Sequence, residues 1–194
     1  MGITSSTPFP SPSPTLYFGY GSNLWLHQMS LRCPISAYRG LARLPSYRWI
    51  INARGYANVV SSNSTSDVVW GMVYALQPSD EARLDRNEGV PEAYTKEILT
   101  IDFWPSDGVK AVDVSAEPER KGMLVYVDRK RVEESVAKEE YVYRMNMGIR
   151  DAVALGVPRA YVEGVMRRFI PDGEGRGEVE EKSREQALEF EDET

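Results

Sequence analysis

One cysteine, Cys33, and one histidine, His27, occur in 194 residues. A single thiol cannot build an intramolecular disulfide framework, and it suits a reducing compartment, so a cytoplasmic location is expected. Zinc sites draw on several His or Cys ligands, so no metal site is expected. A Cys–His dyad is poorly supported as well. Both residues fall on one expected helix rather than across a cleft, and ordinary helix packing accounts for them. Long apolar runs are also missing: no stretch approaches the roughly 20 residues that span a bilayer. Nor is there an excess of basic residues. Lys and Arg number 23 against 29 Asp and Glu, which leaves a net charge of -6 and a pI near 5.0. A nucleic-acid partner, which would meet a clustered basic footprint, is not expected.

The first residues, "MGITSSTPFPSPSPT", lack the basic start and apolar centre of a signal peptide. Their Ser/Pro bias reads as a disordered lead-in over residues 1–14. Gly2 and Ser6 have the spacing of a myristoylation signal. However, no basic residue precedes Arg32, and one acyl chain alone anchors only marginally. What is present is a 42% hydrophobic, 27% charged composition. That is enough apolar material for one soluble domain, expected over residues 15–171, before an acidic, mobile tail at 172–194.

Within that domain, Leu16–Tyr20 favours a strand that stops at Gly21. Ser22 or Asn23 can cap a helix through "LWLHQMSLRC", which Pro34 ends. Strands are expected in "LPSYRWIINARG", "YANVVSS", "VVWGMVYAL", "AYTKEILTIDFW", "GVKAVDVSA" and "KGMLVYVD". Between them "PSDEARLDRNEG" reads as a short helix capped by Ser79 and stopped by Gly89. "SVAKEEYVYRMNMGIRDAVALG" has helical spacing and closes at Gly156, after which Pro158 opens a second helix through "RAYVEGVMRRF". Many strands followed by a helical pair make an α+β domain. Trp25, Trp49, Trp70 and Trp104 read as core anchors, and the charges around Arg129–Arg131 as a solvated loop.

Two features carry chemistry. A strand ending in Gly-Ser-Asn at a helix start presents backbone N–H groups without intrahelical partners, suited to a carboxylate or a developing oxyanion. An ordinary glycine turn with a cap would look the same. In "LDRNEGV", Glu88 stands at a helix C-terminus, electrostatically the wrong end for a carboxylate. Held there with partial burial it could act as a general base, but residue chemistry alone does not single it out from 29 acidic residues.

The strings "LYFGYGSNL", "ARL" at Ala42–Leu44, "VVWGMVYAL", "RLDRNEGVPEAY" and the Met147–Pro158 stretch occur in an order that resembles the γ-glutamylcyclotransferase family, which includes AIG2-like proteins. The resemblance runs from about Leu16 to Pro158. It implies a small mixed β-barrel flanked by helices, and conversion of a γ-glutamyl amine or amino acid to 5-oxoproline and a freed amine, without cofactor or metal. It places the catalytic glutamate on Glu88 and the substrate-binding turn on Tyr17, Phe18, Gly19, Tyr20, Gly21, Ser22 and Asn23. A later substrate-contacting tyrosine falls on Tyr126. Tyr94 is a further pocket candidate, with strand packing as its alternative reading. Whether the turn binds the oxyanion or the substrate's α-carboxylate stays open.

Tyr20-Gly21-Ser22-Asn23 is similar to the turn of the branch acting on γ-glutamyl amino acids. Glutathione-specific ChaC-type relatives carry Tyr-Gly-Ser-Leu there, and γ-glutamylamine cyclotransferases Tyr-Gly-Thr-Leu. Gly19 replaces a residue that is often Ala in the family, and the loop Asn52–Asp67 departs from its pattern. Loops of this kind rim pockets, so substrate size is open. A wider rim would admit glutathione conjugates of the kind trimmed in gliotoxin-type biosynthesis. The remaining alternative is a non-catalytic binding module on the same fold. The expected partner is a small γ-glutamyl substrate. The family includes dimers, so a homodimer is compatible with the resemblance.

Overall fold

A computed structural model describes residues 13–173. Most of the lead-in at 1–14, the Gly2/Ser6 pair and all of the tail at 172–194 beyond Gly173 lie outside them.

Five strands close into a barrel in the order β1 (Thr15–Gly19), β5 (Val68–Leu76), β2 (Ala37–Pro45), β6 (Thr95–Pro105) and β7 (Glu119–Val127). Neighbours pair antiparallel except where β7 meets β1. That closure is parallel, through Tyr17 opposite Leu124, and makes the barrel mixed. β3 (Tyr47–Ile51) and β4 (Ala57–Ser61) form a separate antiparallel hairpin. The β-branched run of β5 is buried from Val69 to Leu76, as expected of a central strand covered on both faces. Phe18, Leu41, Met72, Tyr74 and Leu124 are among the buried side chains of the core. The α+β barrel expected from the sequence is the architecture found.

Four helices decorate it: α1 (Leu26–Arg32), α2 (Pro78–Asn87), α3 (Glu139–Leu155) and α4 (Arg159–Gly164). Gly89 at φ 61 and Gly156 at φ 115 stand just past α2 and α3, where left-handed glycines were expected to stop them. α3 passes very close to the chain after β1. A Cβ added at Gly148 would sit 2.9 Å from Leu24 Cβ and 3.0 Å from the Trp25 nitrogen, so only glycine permits that approach.

Several expectations need correction. The helix after β1 does not start at Ser22 or Asn23. Ser22–Leu24 is a 3-10 turn, and α1 begins at Leu26 with Trp25 as its N-cap, without a side-chain cap. Gln77, not Ser79, caps α2, and Pro78 takes the first helical position. The helix opened by Pro158 is α4 alone, followed by a second 3-10 turn at Met166–Arg168. β2 was not foreseen. Residues 108–116 form no strand: Asp107 and Asp113 accept bonds from the N–H groups of Val109 and Ser115, turning the chain locally. Arg131 is not simply solvated, since it pairs with the buried Asp128 at 3.1 Å. The four tryptophans are buried, as expected.

Candidate active site

β1 runs into the 3-10 turn through Tyr20 and Gly21. There the Leu24 N–H donates to the Gly21 carbonyl at 2.9 Å, and the Trp25 N–H to the Ser22 carbonyl at 3.0 Å. Gly21 lies against α3: a Cβ there would fall 2.7 Å from the Tyr141 hydroxyl. That hydroxyl accepts the Ser22 N–H at 3.1 Å and the Ala57 N–H at 3.3 Å. One of the three turn amides is therefore already committed. Among the described residues the Gly21 and Asn23 N–H groups donate to no other group.

Asn23 is the hub. Its Nδ2 donates to Tyr17 Oη at 2.9 Å and to Glu88 Oε1 at 3.2 Å. Its Oδ1 accepts from Gln28 Nε2 at 2.9 Å and Arg32 Nη1 at 3.2 Å, and its carbonyl accepts from Tyr74 Oη at 2.9 Å. A side-chain amide has two donors and two acceptor lone pairs, and all four are used. The Asn23 side chain therefore does not act as a helix cap. It fixes the orientation of Glu88.

Glu88 is the C-cap of α2 and half-buried. The barrel carries it to the β1 turn, and one pocket is lined by both Glu88 and Tyr17, Tyr20, Gly21, Ser22 and Asn23. Electrostatics agree with this placement. Burial is the largest cause raising the phenol pKa of Tyr17, Tyr20, Tyr126 and Tyr141, and the negative charge of Glu88 raises each of the four further. All four remain protonated and able to donate hydrogen bonds at neutral pH. Tyr20 donates to the Tyr126 carbonyl at 2.6 Å, and Tyr126 donates to Asp85 Oδ1 at 2.6 Å.

Of the residues singled out in the sequence, Tyr17, Tyr20, Gly21, Ser22, Asn23, Glu88 and Tyr126 meet at this pocket, and Tyr94 joins them. Phe18 and Gly19 do not line it. Phe18 is fully buried, because successive side chains of β1 point to opposite faces. Gly19 stands behind the pocket wall, 3.4 Å from Tyr17 and Asn23 atoms when given a Cβ. Arg32, Tyr56, Ala57, Tyr141 and Arg144 also line the pocket and were not anticipated. Arg144 carried a signal. It sits among the apolar residues of "YVYRMNM" on α3, and an arginine there that is 1% exposed must have polar company. Ser22 Oγ and Glu140 supply it, at 3.3 and 3.1 Å.

Cys33 and His27 play no part. Cys33 is buried at the end of α1, with its thiol pushed up to about 12 by burial, and His27 is exposed on the same helix. Among the described residues no group of three or more His, Cys, Asp or Glu side chains is placed to hold a metal ion. No helix among them is long and apolar enough to cross a membrane.

Residues 17–145 match the family model described as "Gamma-glutamyl cyclotransferase, AIG2-like". The chain is 34% identical over 89 residues to a Homo sapiens protein named gamma-glutamylcyclotransferase, covering 42% of this chain and 47% of that one. A Bos taurus protein of the same name is 34% identical over 83 residues, covering 39% of this chain and 44% of that one. The matched part thus spans less than half the length of these curated relatives. A solved structure named gamma-glutamyl cyclotransferase superposes with a TM-score of 0.66 at 23% identity, covering 90% of this chain and 99% of that one; it shows a shared fold.

Proposed function

The chain belongs to the gamma-glutamyl cyclotransferase, AIG2-like family, and from that premise we propose that it converts γ-glutamyl amino acids or γ-glutamyl adducts to 5-oxoproline and the free amine, with Glu88 as general acid and base. The observation that carries this reading is the bond at 3.2 Å from Asn23 to the Glu88 carboxylate, which joins the base to the glycine turn at one pocket.

The chemistry follows from what each group can do. The α-ammonium of the substrate must lose a proton before its nitrogen can attack, and Glu88 accepts that proton. The nitrogen lone pair then adds to the γ-carbonyl carbon, closing a five-membered ring and placing negative charge on the carbonyl oxygen. When the tetrahedral centre collapses, the bond to the leaving nitrogen breaks, and Glu88 returns its proton to that nitrogen. Protons balance over the cycle. The attack is intramolecular, so holding the substrate folded supplies much of the acceleration. The Gly21 and Asn23 amides and the protonated phenols around the pocket suit either the oxyanion or the substrate carboxylate.

The test is to incubate purified protein with γ-glutamyl-alanine, glutathione and a glutathione S-conjugate and to quantify 5-oxoproline. Activity with γ-glutamyl-alanine supports the amino acid branch, and activity confined to the conjugate supports a biosynthetic specialist. Glu88→Gln keeps the shape of the side chain and removes the base. It is expected to lower turnover about 10²–10⁴-fold while leaving the fold intact. Full activity in that variant would remove Glu88 from its role. No product from any of the three substrates would leave a binding module.

A further inference from the structure

Two cations stand over the tyrosines of the pocket wall, where neither the turn nor Glu88 accounts for them. Arg54 Cζ lies 5.5 Å from the Tyr56 ring centroid and 5.9 Å from that of Tyr94. Lys138 Nζ lies 4.8 Å from the same Tyr56 ring and donates to its hydroxyl at 3.1 Å. Tyr56 and Tyr94 both line the pocket. The turn residues Ser22 and Asn23 are buried, whereas Arg54 and Lys138 are only half-buried. This difference in depth leaves the γ-glutamyl head at the turn and the two cations at the mouth, on the side of the departing amine.

We infer that Arg54 and Lys138 form a cationic rim that reads a carboxylate on the leaving amine, so that γ-glutamyl substrates with an anionic leaving group are preferred over neutral ones. This inference rests on the cyclotransferase reading above and names the substrate class within it.

The rim is built rather than a chance of floppy side chains. Asn52, fully buried, accepts the Arg54 N–H on Oδ1 at 3.0 Å and donates from Nδ2 to Asp128 at 3.0 Å. The Lys138 N–H donates to the Gly55 carbonyl at 3.2 Å, and the Ser135 N–H to the Ile51 carbonyl at 2.8 Å. The β3–β4 turn and the segment leading into α3 are thus clipped to each other, with one cation on each. Preorganised charges lose little freedom on binding. A cation lying on an aromatic face keeps its charge and its outward donors.

Charge balance points the same way. The chain carries a net charge of -6, yet Arg32 and Arg144 line this pocket and Arg54 and Lys138 border it. The carboxylates there are Glu88, held by Asn23, and Glu140, which pairs with Arg144 at 3.1 Å and accepts from Tyr56 Oη at 3.4 Å. A cationic mouth on an acidic protein concentrates anionic ligands and repels cationic ones.

The experiment compares γ-glutamyl-alanine with γ-glutamyl-alaninamide, which differ in the charge of the leaving group and hardly in size. The wild-type ratio of kcat/KM, acid over amide, is expected to exceed about tenfold, the usual worth of a hydrogen bond to a charged group. In Arg54→Gln/Lys138→Gln the ratio should fall to near one, through KM for the acid. Because both rates come from the same preparation, partial unfolding lowers them together and leaves the ratio intact. A wild-type ratio near one, or a ratio that survives in the double variant, would overturn the inference while leaving the cyclotransferase reading in place. Absence of 5-oxoproline from both substrates would overturn that reading and the inference with it.

Discussion

Asn23 is where sequence and structure differ most in meaning. The string "YGSN" announces a turn with a good helix cap. Folded, the amide spends its four hydrogen-bonding positions on Tyr17, Glu88, Gln28 and Arg32, and none on a helix N-terminus. Its contribution is to hold the Glu88 carboxylate. Asn23→Ala should therefore lower kcat by about 10–100-fold, since a shift near 1 Å in a catalytic group can cost as much. KM should move little. Denaturant unfolding should show a loss of about 1–3 kcal/mol from the partners left behind. A KM effect without a kcat effect would place Asn23 in ground-state binding instead. Gly21, Ser22 and Glu88 were legible as a constellation because their spacing in the chain is short or their motif distinctive. Arg144 and Tyr141 were not, because they reach the turn from residues 119 or more positions away. No local pattern encodes that contact.

At the level of elements, legibility followed side-chain shape. β5 was read at its true limits, Val68–Leu76, since its β-branched run suits only a covered strand. β2, "AYRGLARLP", contains no Val, Ile or Thr, and its strand state comes from lying between β5 and β6. The reverse error occurred at 108–116, where valines suggested a strand but Asx-type turns prevail and Val109 is 79% exposed. α3 was visible from its period. Its close seat on the 3-10 turn was not, and Gly148 makes it possible. Gly148→Val should push α3 away from Leu24 and Trp25, costing about 1–3 kcal/mol in denaturant unfolding. It should also slow turnover, because Tyr141 and Arg144 ride on that helix. A variant as stable and active as wild type would show that the α3 seat does not position the pocket.

The whole molecule explains why the pocket exists. Closing the barrel through the β1–β7 contact brings together the end of β1, the C-terminus of α2, the start of β4 and the first turn of α3. These segments are far apart in the chain, and topology alone makes them neighbours. The resemblance in the sequence foretold the barrel and the pairing of the turn with Glu88, but not the cationic rim, which depends on two loops outside the shared strings. The central claim is that one small molecule touches the Gly21–Asn23 turn and residue 88 at once. A crystal structure of Glu88→Gln soaked with γ-glutamyl-alanine tests it most directly. The account predicts the α-amino nitrogen within hydrogen-bond reach of the residue 88 side chain, with a substrate oxygen on the turn amides. A ligand that binds elsewhere, or that reaches the turn with its amino group directed away from residue 88, would contradict it.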